Sequence, residues 1–147
     1  MLSWLFRREK RDSIDDGPPQ AVADNRQTVL LVDDDAHLRE LLKAALEHNG
    51  YAVRVGATGA DAVRLAREAP PDLIVLDGNM PVMDGFDALK RLRTNRSTEK
   101  IPVIMLTMRS HQVDMLTGYR FGAQEYLTKP VVVEQLLVSV RRLLTAH

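Results

Sequence analysis

The stretch Asp72–Phe86, DLIVLDGNMPVMDGF, changes character twice. Its first part, Asp72 to Leu76, is a short apolar run rich in branched side chains and reads as a buried strand ending on Asp77. Pro81, preceded by Met80, then fixes an extended turn, and Asp84 is placed to cap a helix on which Phe86, Leu89 and Leu92 recur at helical spacing. One apolar strand, one polar loop and one amphipathic helix therefore follow each other directly. The same unit recurs on both sides: apolar runs cover Thr28 to Val32, Tyr51 to Val55, Ile101 to Leu106 and, more weakly, Ala123 to Leu127. Helical periodicity joins Leu38, Leu41, Leu42 and Ala45, and again Leu136, Leu137, Val140, Leu143 and Leu144. Five strand–helix units with continuous apolar strands predict a parallel sheet covered on both faces, joined by right-handed crossovers in a doubly wound open α/β fold.

Residues 28–147 hold all five units and read as one domain. Residues 1–27 differ: Trp4, Leu5 and Phe6 are followed by Arg7, Arg8, Lys10 and Arg11, then by a polar stretch with Asp15, Asp16, Gly17, Pro18 and Pro19. This is a flexible tail and linker by composition. Its apolar stretch is shorter than a secretory signal needs, and its charges come after that stretch, which argues against export. Residues 1–11 have enough apolar and basic character for weak membrane or partner docking. The chain has 147 residues, with 20 basic side chains against 20 acidic ones, so no net field draws it toward nucleic acid. Without cysteine, thiol chemistry and thiolate metal sites are excluded, in keeping with a cytoplasmic location. No apolar run is long enough to span a membrane.

In an open parallel sheet, ligands bind beyond the carboxyl ends of the strands. The first strand ends in Asp33, Asp34 and Asp35, the third in Asp77 and the fourth in Thr107, and the fifth runs through Thr128 into Lys129 and Pro130. Converging carboxylates stay ionised only with positive charge among them, which an ammonium and a hard divalent cation such as Mg²⁺ supply. Asp35, just before the first helix, reads instead as a helix cap.

Val32-Asp33-Asp34, the loop Leu76–Gly85, Leu106-Thr107 and the segment Gly122–Pro130, GAQEYLTKP, together resemble the receiver domains of two-component response regulators. The resemblance spans roughly Gln27 to Leu144. It implies a flavodoxin-like (βα)5 fold and a signalling domain rather than an enzyme, catalysing only its own phosphorylation and dephosphorylation. Asp77 would be the phosphoacceptor. Asp34 would bind Mg²⁺ directly, Asp33 through water, and Asn79 through its backbone carbonyl. Lys129 would pair with the acidic cluster and then with the phosphoryl group, Thr107 would hydrogen-bond to that group, and Tyr126 would be an aromatic switch. The implied donor is a sensor histidine kinase or a histidine phosphotransfer protein. Met108 departs from the family's usual small residue beside the site and predicts narrowed access. With no room for an output domain in this length, the signal is expected to leave in trans, through the fourth helix, the fifth strand and the last helix.

Other functions fit less well. An aspartyl-phosphate phosphatase would use the Asp-x-Asp of Asp33-Asp34-Asp35, but His37 stands where Thr or Val is expected and no cap insertion is present. Gly56-Ala57-Thr58-Gly59-Ala60 is neither a dinucleotide fingerprint nor a phosphate loop. No recognition helix or basic stripe suggests direct DNA binding. A degenerate receiver that binds partners without phosphorylation is the remaining alternative.

Overall fold

A computed structural model describes residues 24–108 and 122–145. Five strands, β1 (Thr28–Val32), β2 (Ala52–Gly56), β3 (Leu73–Asp77), β4 (Val103–Met108) and β5 (Glu125–Lys129), form one parallel sheet in the order β2-β1-β3-β4-β5. The helices are α1 (Ala36–His48), α2 (Gly59–Glu68), α3 (Gly85–Arg93) and α4 (Val133–Thr145). The helix expected between β4 and β5 falls outside the described residues, as do residues 1–11. No described helix is long and apolar enough to cross a membrane.

Side chains alternate across each strand, and since both faces are covered the central strands β1, β3 and β4 are almost wholly apolar, whereas the edge strands β2 and β5 carry Arg54 and Glu125. Leu30, Val32, Ile74, Leu76, Val103 and Met105 pack with Ala62, Ala66, Leu89 and Leu92 of α2 and α3. Val29, Leu31, Leu73, Val75, Ile104 and Leu106 pack with Leu42 and Leu46 of α1 and Leu136, Val140 and Leu144 of α4. The apolar stripe on α1 is narrower than its sequence predicts: Leu42 is buried, but Leu41 is 56% exposed, because Leu38, Leu42 and Leu46 turn toward the sheet.

The strands also run further than their apolar runs. Asp77 is still in register with Leu106, Thr107 with Thr128, and Met108 with Lys129, since ladder hydrogen bonds use the backbone and continue past the last apolar side chain. The polar groups therefore sit on rigid strand ends rather than on loops.

Each crossover is fixed locally. Asp35 accepts hydrogen bonds from the backbone N–H groups of His37 and Leu38, Thr58 from Asp61, and Asp84 from Asp87, so three helices begin on side-chain caps. At the other end of α2, the Arg54 guanidinium donates to the carbonyls of Leu65 and Ala69.

Candidate functional site

Asp33 directly follows β1 and Asp77 ends the adjacent strand β3, and both are fully buried. Lys129, at the end of β5, reaches both: its Nζ lies 3.0 Å from Asp33 Oδ2 and 3.2 Å from Asp77 Oδ1. Backbone N–H groups hold the carboxylates from the loop side, Asp35 donating to Asp33 Oδ1 and Asn79 to Asp77 Oδ1, each at 2.9 Å. Asp34 is exposed, and its carboxylate comes within 4.8 Å of those of Asp33 and Asp77. The structure thus brings Asp33, Asp34, Asp77 and Lys129 into one cluster.

Burial pushes the Asp77 carboxyl up from 3.8 to about 6, and the charge of Asp33 adds to the rise; the Asn79 N–H and Lys129 oppose it without cancelling it. Lys129 moves in the direction of an ion-paired ammonium. Burial alone would lower it, but the hydrogen bond to Asp33 and the charges of Asp77 and Asp33 prevail and raise it. One ammonium therefore does not neutralise the site. Three ionised carboxylates and one ammonium leave a net charge of about −2, which suits a hard divalent cation with oxygen ligands. Two buried oxygens, Asp77 Oδ2 and Thr107 Oγ1, have no hydrogen-bond partner among the described residues. Orphaned acceptors of this kind are rare in folded proteins unless a ligand or water completes them. The donor set and these two atoms fit a metal and an incoming oxyanion.

Thr107 and Tyr126 are placed differently from the acidic cluster. Met105 is in register with Tyr126 and shares its core layer, and Thr107, two residues on, projects to the same face of β4. The Tyr126 side chain is buried, 9% exposed. Met108 is 48% exposed at the end of β4.

The loop after Asp77 is tighter than its sequence suggests. Met83 N–H donates to the Pro81 carbonyl at 2.9 Å, closing a three-residue turn whose centre, Val82, has φ 70°. This is the rarer, strained form of γ-turn, and for a β-branched residue the left-handed region costs about 1–2 kcal/mol. Proline signals only that the chain bends, so the extended turn expected from Met80-Pro81 is corrected to this one. Two close approaches hold the loop: a Cβ on Gly85 would fall 2.1 Å from the Asp77 carbonyl oxygen, and one on Gly59 would fall 2.2 Å from that of Met83. Both glycines are placed where the backbone has no space for a side chain.

Sequence reasoning also missed Arg39, whose Nη1 donates to the Asp33 carbonyl at 2.8 Å. Nothing in apolar periodicity or motif spacing marks an arginine that bonds backbone.

Comparison with known proteins fits this geometry. The profile of the response regulator receiver domain matches residues 29–141. The DNA-binding dual master transcriptional regulator RpaA of Synechocystis sp. is 42% identical over 116 residues, covering 79% of this chain and 48% of that protein. Protein PilH of Pseudomonas aeruginosa is 40% identical over 116 residues, covering 79% of this chain and 96% of PilH. The chain thus spans about half the length of the first relative and nearly all of the second. Among solved structures, the receiver domain of a Pseudomonas aeruginosa sensor histidine kinase, described with a magnesium ion coordinated in its active-site cleft, superposes with TM-score 0.75 at 32% identity over 82% of this chain and 98% of that one. With its five-stranded parallel sheet, its paired buried aspartates and a family match over most of its length, the chain belongs to the response regulator receiver domains of two-component systems.

Proposed function

We propose that this receiver domain accepts a phosphoryl group on Asp77 from a sensor histidine kinase or a histidine phosphotransfer protein, with Mg²⁺ as cofactor. The observation that carries the reading is the buried Asp77 Oδ2, which like the Thr107 hydroxyl has no hydrogen-bond partner among the described residues, on a carboxylate whose Oδ1 faces the Lys129 ammonium. An Asp77 oxygen attacks phosphorus, the new O–P bond forming as the P–N bond to the donor imidazole breaks. The electron pair leaves with the ring nitrogen, which takes up a proton. Phosphoryl transfer of this kind asks for position and charge neutralisation more than covalent help. Lys129 neutralises the transferred oxygens, and the Thr107 hydroxyl donates to one of them. Asp33, Asp34, Asp77 and the Asn79 carbonyl would hold Mg²⁺, which supplies further neutralisation of the phosphoryl charge. Attack by water on phosphorus then releases inorganic phosphate and restores the Asp77 carboxylate.

Incubation with Mg²⁺ and acetyl phosphate, or with a phosphorylated histidine kinase, should add one phosphoryl group to the wild type by intact mass, and none to Asp77→Asn. Addition to neither protein from any donor would favour a receiver that binds partners without phosphorylation. Addition to both would place the acceptor elsewhere.

Thr107 and Tyr126 share one face of neighbouring strands, so a hydroxyl drawn toward the phosphoryl group frees space behind it for the ring. The signal is proposed to leave in trans through β5, α4 and the segment between Met108 and Gly122, by a shift between pre-existing states. That segment lies outside the described residues. The protein is proposed to act in the cytoplasm, without binding nucleic acid itself; residues 1–11 would add a weak contact to membrane or partner.

Met108 bears on rate. Its long side chain at the end of β4, in register with Lys129, would narrow the approach of water and of small phosphodonors. Met108→Ala should therefore raise both the rate of labelling by acetyl phosphate and the rate of phosphate loss several-fold. If both rates stay as they were, access is set by another group.

A further inference from the structure

Arg39 lies in the first turn of α1, where its backbone N–H closes the first helical hydrogen bond onto the Asp35 carbonyl at 2.9 Å. Its side chain runs back six residues, and Nη1 donates to the Asp33 carbonyl at 2.8 Å. That carbonyl stands just past the end of the β1 ladder, whose last paired residue is Val32. The Asp33 N–H still bonds across to the Gly56 carbonyl at 3.2 Å. The peptide unit that starts at the Asp33 carbonyl is planar and ends on the Asp34 nitrogen. Fixing its oxygen therefore fixes the direction in which the chain leaves Asp33 and the place where Asp34 begins.

We propose that Arg39 is a positioning residue for the divalent cation, locking the peptide between Asp33 and Asp34 so that their carboxylates meet that of Asp77. The inference rests on the proposed Mg²⁺ site. Of the three carboxylates in the cluster, Asp33 is held by Lys129 and the Asp35 N–H, and Asp77 by Lys129 and the Asn79 N–H. Asp34 is exposed, and the peptide leading into it is secured by Arg39. Groups that orient metal ligands without touching the metal commonly change affinity by about tenfold or more when removed.

The sign of the effect separates this role from a simple charge effect. A guanidinium beside an anionic site repels Mg²⁺, so if Arg39 acted by charge alone its removal would tighten binding. If it acts by holding the peptide, removal loosens binding.

The test is calorimetric titration of the full chain with MgCl₂, together with thermal unfolding of each protein in EDTA to show that it is folded at the titration temperature. Arg39→Ala should weaken the Mg²⁺ dissociation constant about tenfold, and Arg39→Lys, which keeps one donor and the charge, should recover part of the loss. Unchanged or tighter Mg²⁺ binding by a folded Arg39→Ala overturns the inference while leaving the Mg²⁺ site in place. If the wild type itself takes up no Mg²⁺, the site reading fails and the inference with it.

Discussion

Lys129→Met is expected to destabilise the metal-free protein by about 2 kcal/mol more at about pH 7.5 than below about pH 6. Removing one member of a buried ion cluster often costs about 3–5 kcal/mol, because a charge is left without a partner. Here the protein has an escape that limits the loss. Asp77 already titrates at about 6 with Lys129 beside it, so once the ammonium is gone the carboxyl keeps its proton at neutral pH. The added cost is then that of holding one proton from about pH 6 up to the working pH, about 1.4 kcal/mol per unit. A neutral Asp77 can donate that proton to a neighbouring acceptor, which keeps the pair from being two bare anions. Urea unfolding in EDTA across this range measures the effect, and Mg²⁺ should return part of the lost stability by binding only the folded state. A loss that is the same at every pH would mean that Lys129 contributes packing of its stem and little charge.

The fold was legible because a parallel sheet covered on both faces leaves an unmixed signal. Leu73, Ile74, Val75 and Leu76 are all buried, and the other central strands share that property. Asp33, Asp34, Asp77 and Lys129 stood out because a charged residue at the end of such a strand is visible against its apolar neighbours, and the structure brings all four together. The apolar runs stop one or two residues before the ladder does, yet the strand ends at Asp77, Thr107 and Lys129 were still legible, because a polar residue that closes an apolar run can pair through backbone atoms that every residue possesses. Leu41 was read as inward, because a period of 3.6 leaves the edge of an apolar stripe undecided and only contact with the sheet settles it. The strained turn at Val82 and the bond from Arg39 to the Asp33 carbonyl were illegible for a shared reason. Both depend on where particular backbone carbonyls stand, that of Pro81 for the Met83 N–H and that of Asp33 for the Arg39 guanidinium, and side-chain type carries no record of that.

Asp77→Asn should stabilise the metal-free protein by about 2 kcal/mol at about pH 7.5 while removing the proposed acceptor. A carboxyl whose folded-state value is raised binds its proton more tightly in the native protein than in the unfolded chain. Between 3.8 and about 6 the native state therefore carries the extra proton, and wild-type stability rises as pH falls through that window. Above about 6 the carboxylate is ionised in a site that disfavours it, a penalty on the order of 3 kcal/mol from the size of the shift. Asparagine keeps the shape and the acceptor for the Asn79 N–H but carries no charge, so it avoids that penalty. Part of the gain is lost because the new amide N–H₂ needs acceptors where Asp77 Oδ2 has no partner among the described residues, which leaves about 2 kcal/mol. The difference between the two proteins should shrink steadily from about pH 6 to about pH 4, as the wild-type carboxyl becomes neutral on its own. Adding Mg²⁺ at neutral pH should act in the opposite sense, stabilising the wild type more than the variant, because only the wild type offers the third carboxylate. Chemical unfolding at a series of pH values, with EDTA and with Mg²⁺, reads both effects. A variant less stable than the wild type in EDTA at neutral pH, with a gap that does not change with pH, would show that the Lys129 pair more than offsets the burial of Asp77. The site would then be built for stability, whereas a raised Asp77 marks a fold that accepts an unfavourable buried charge where a cation and a phosphoryl group are proposed to bind.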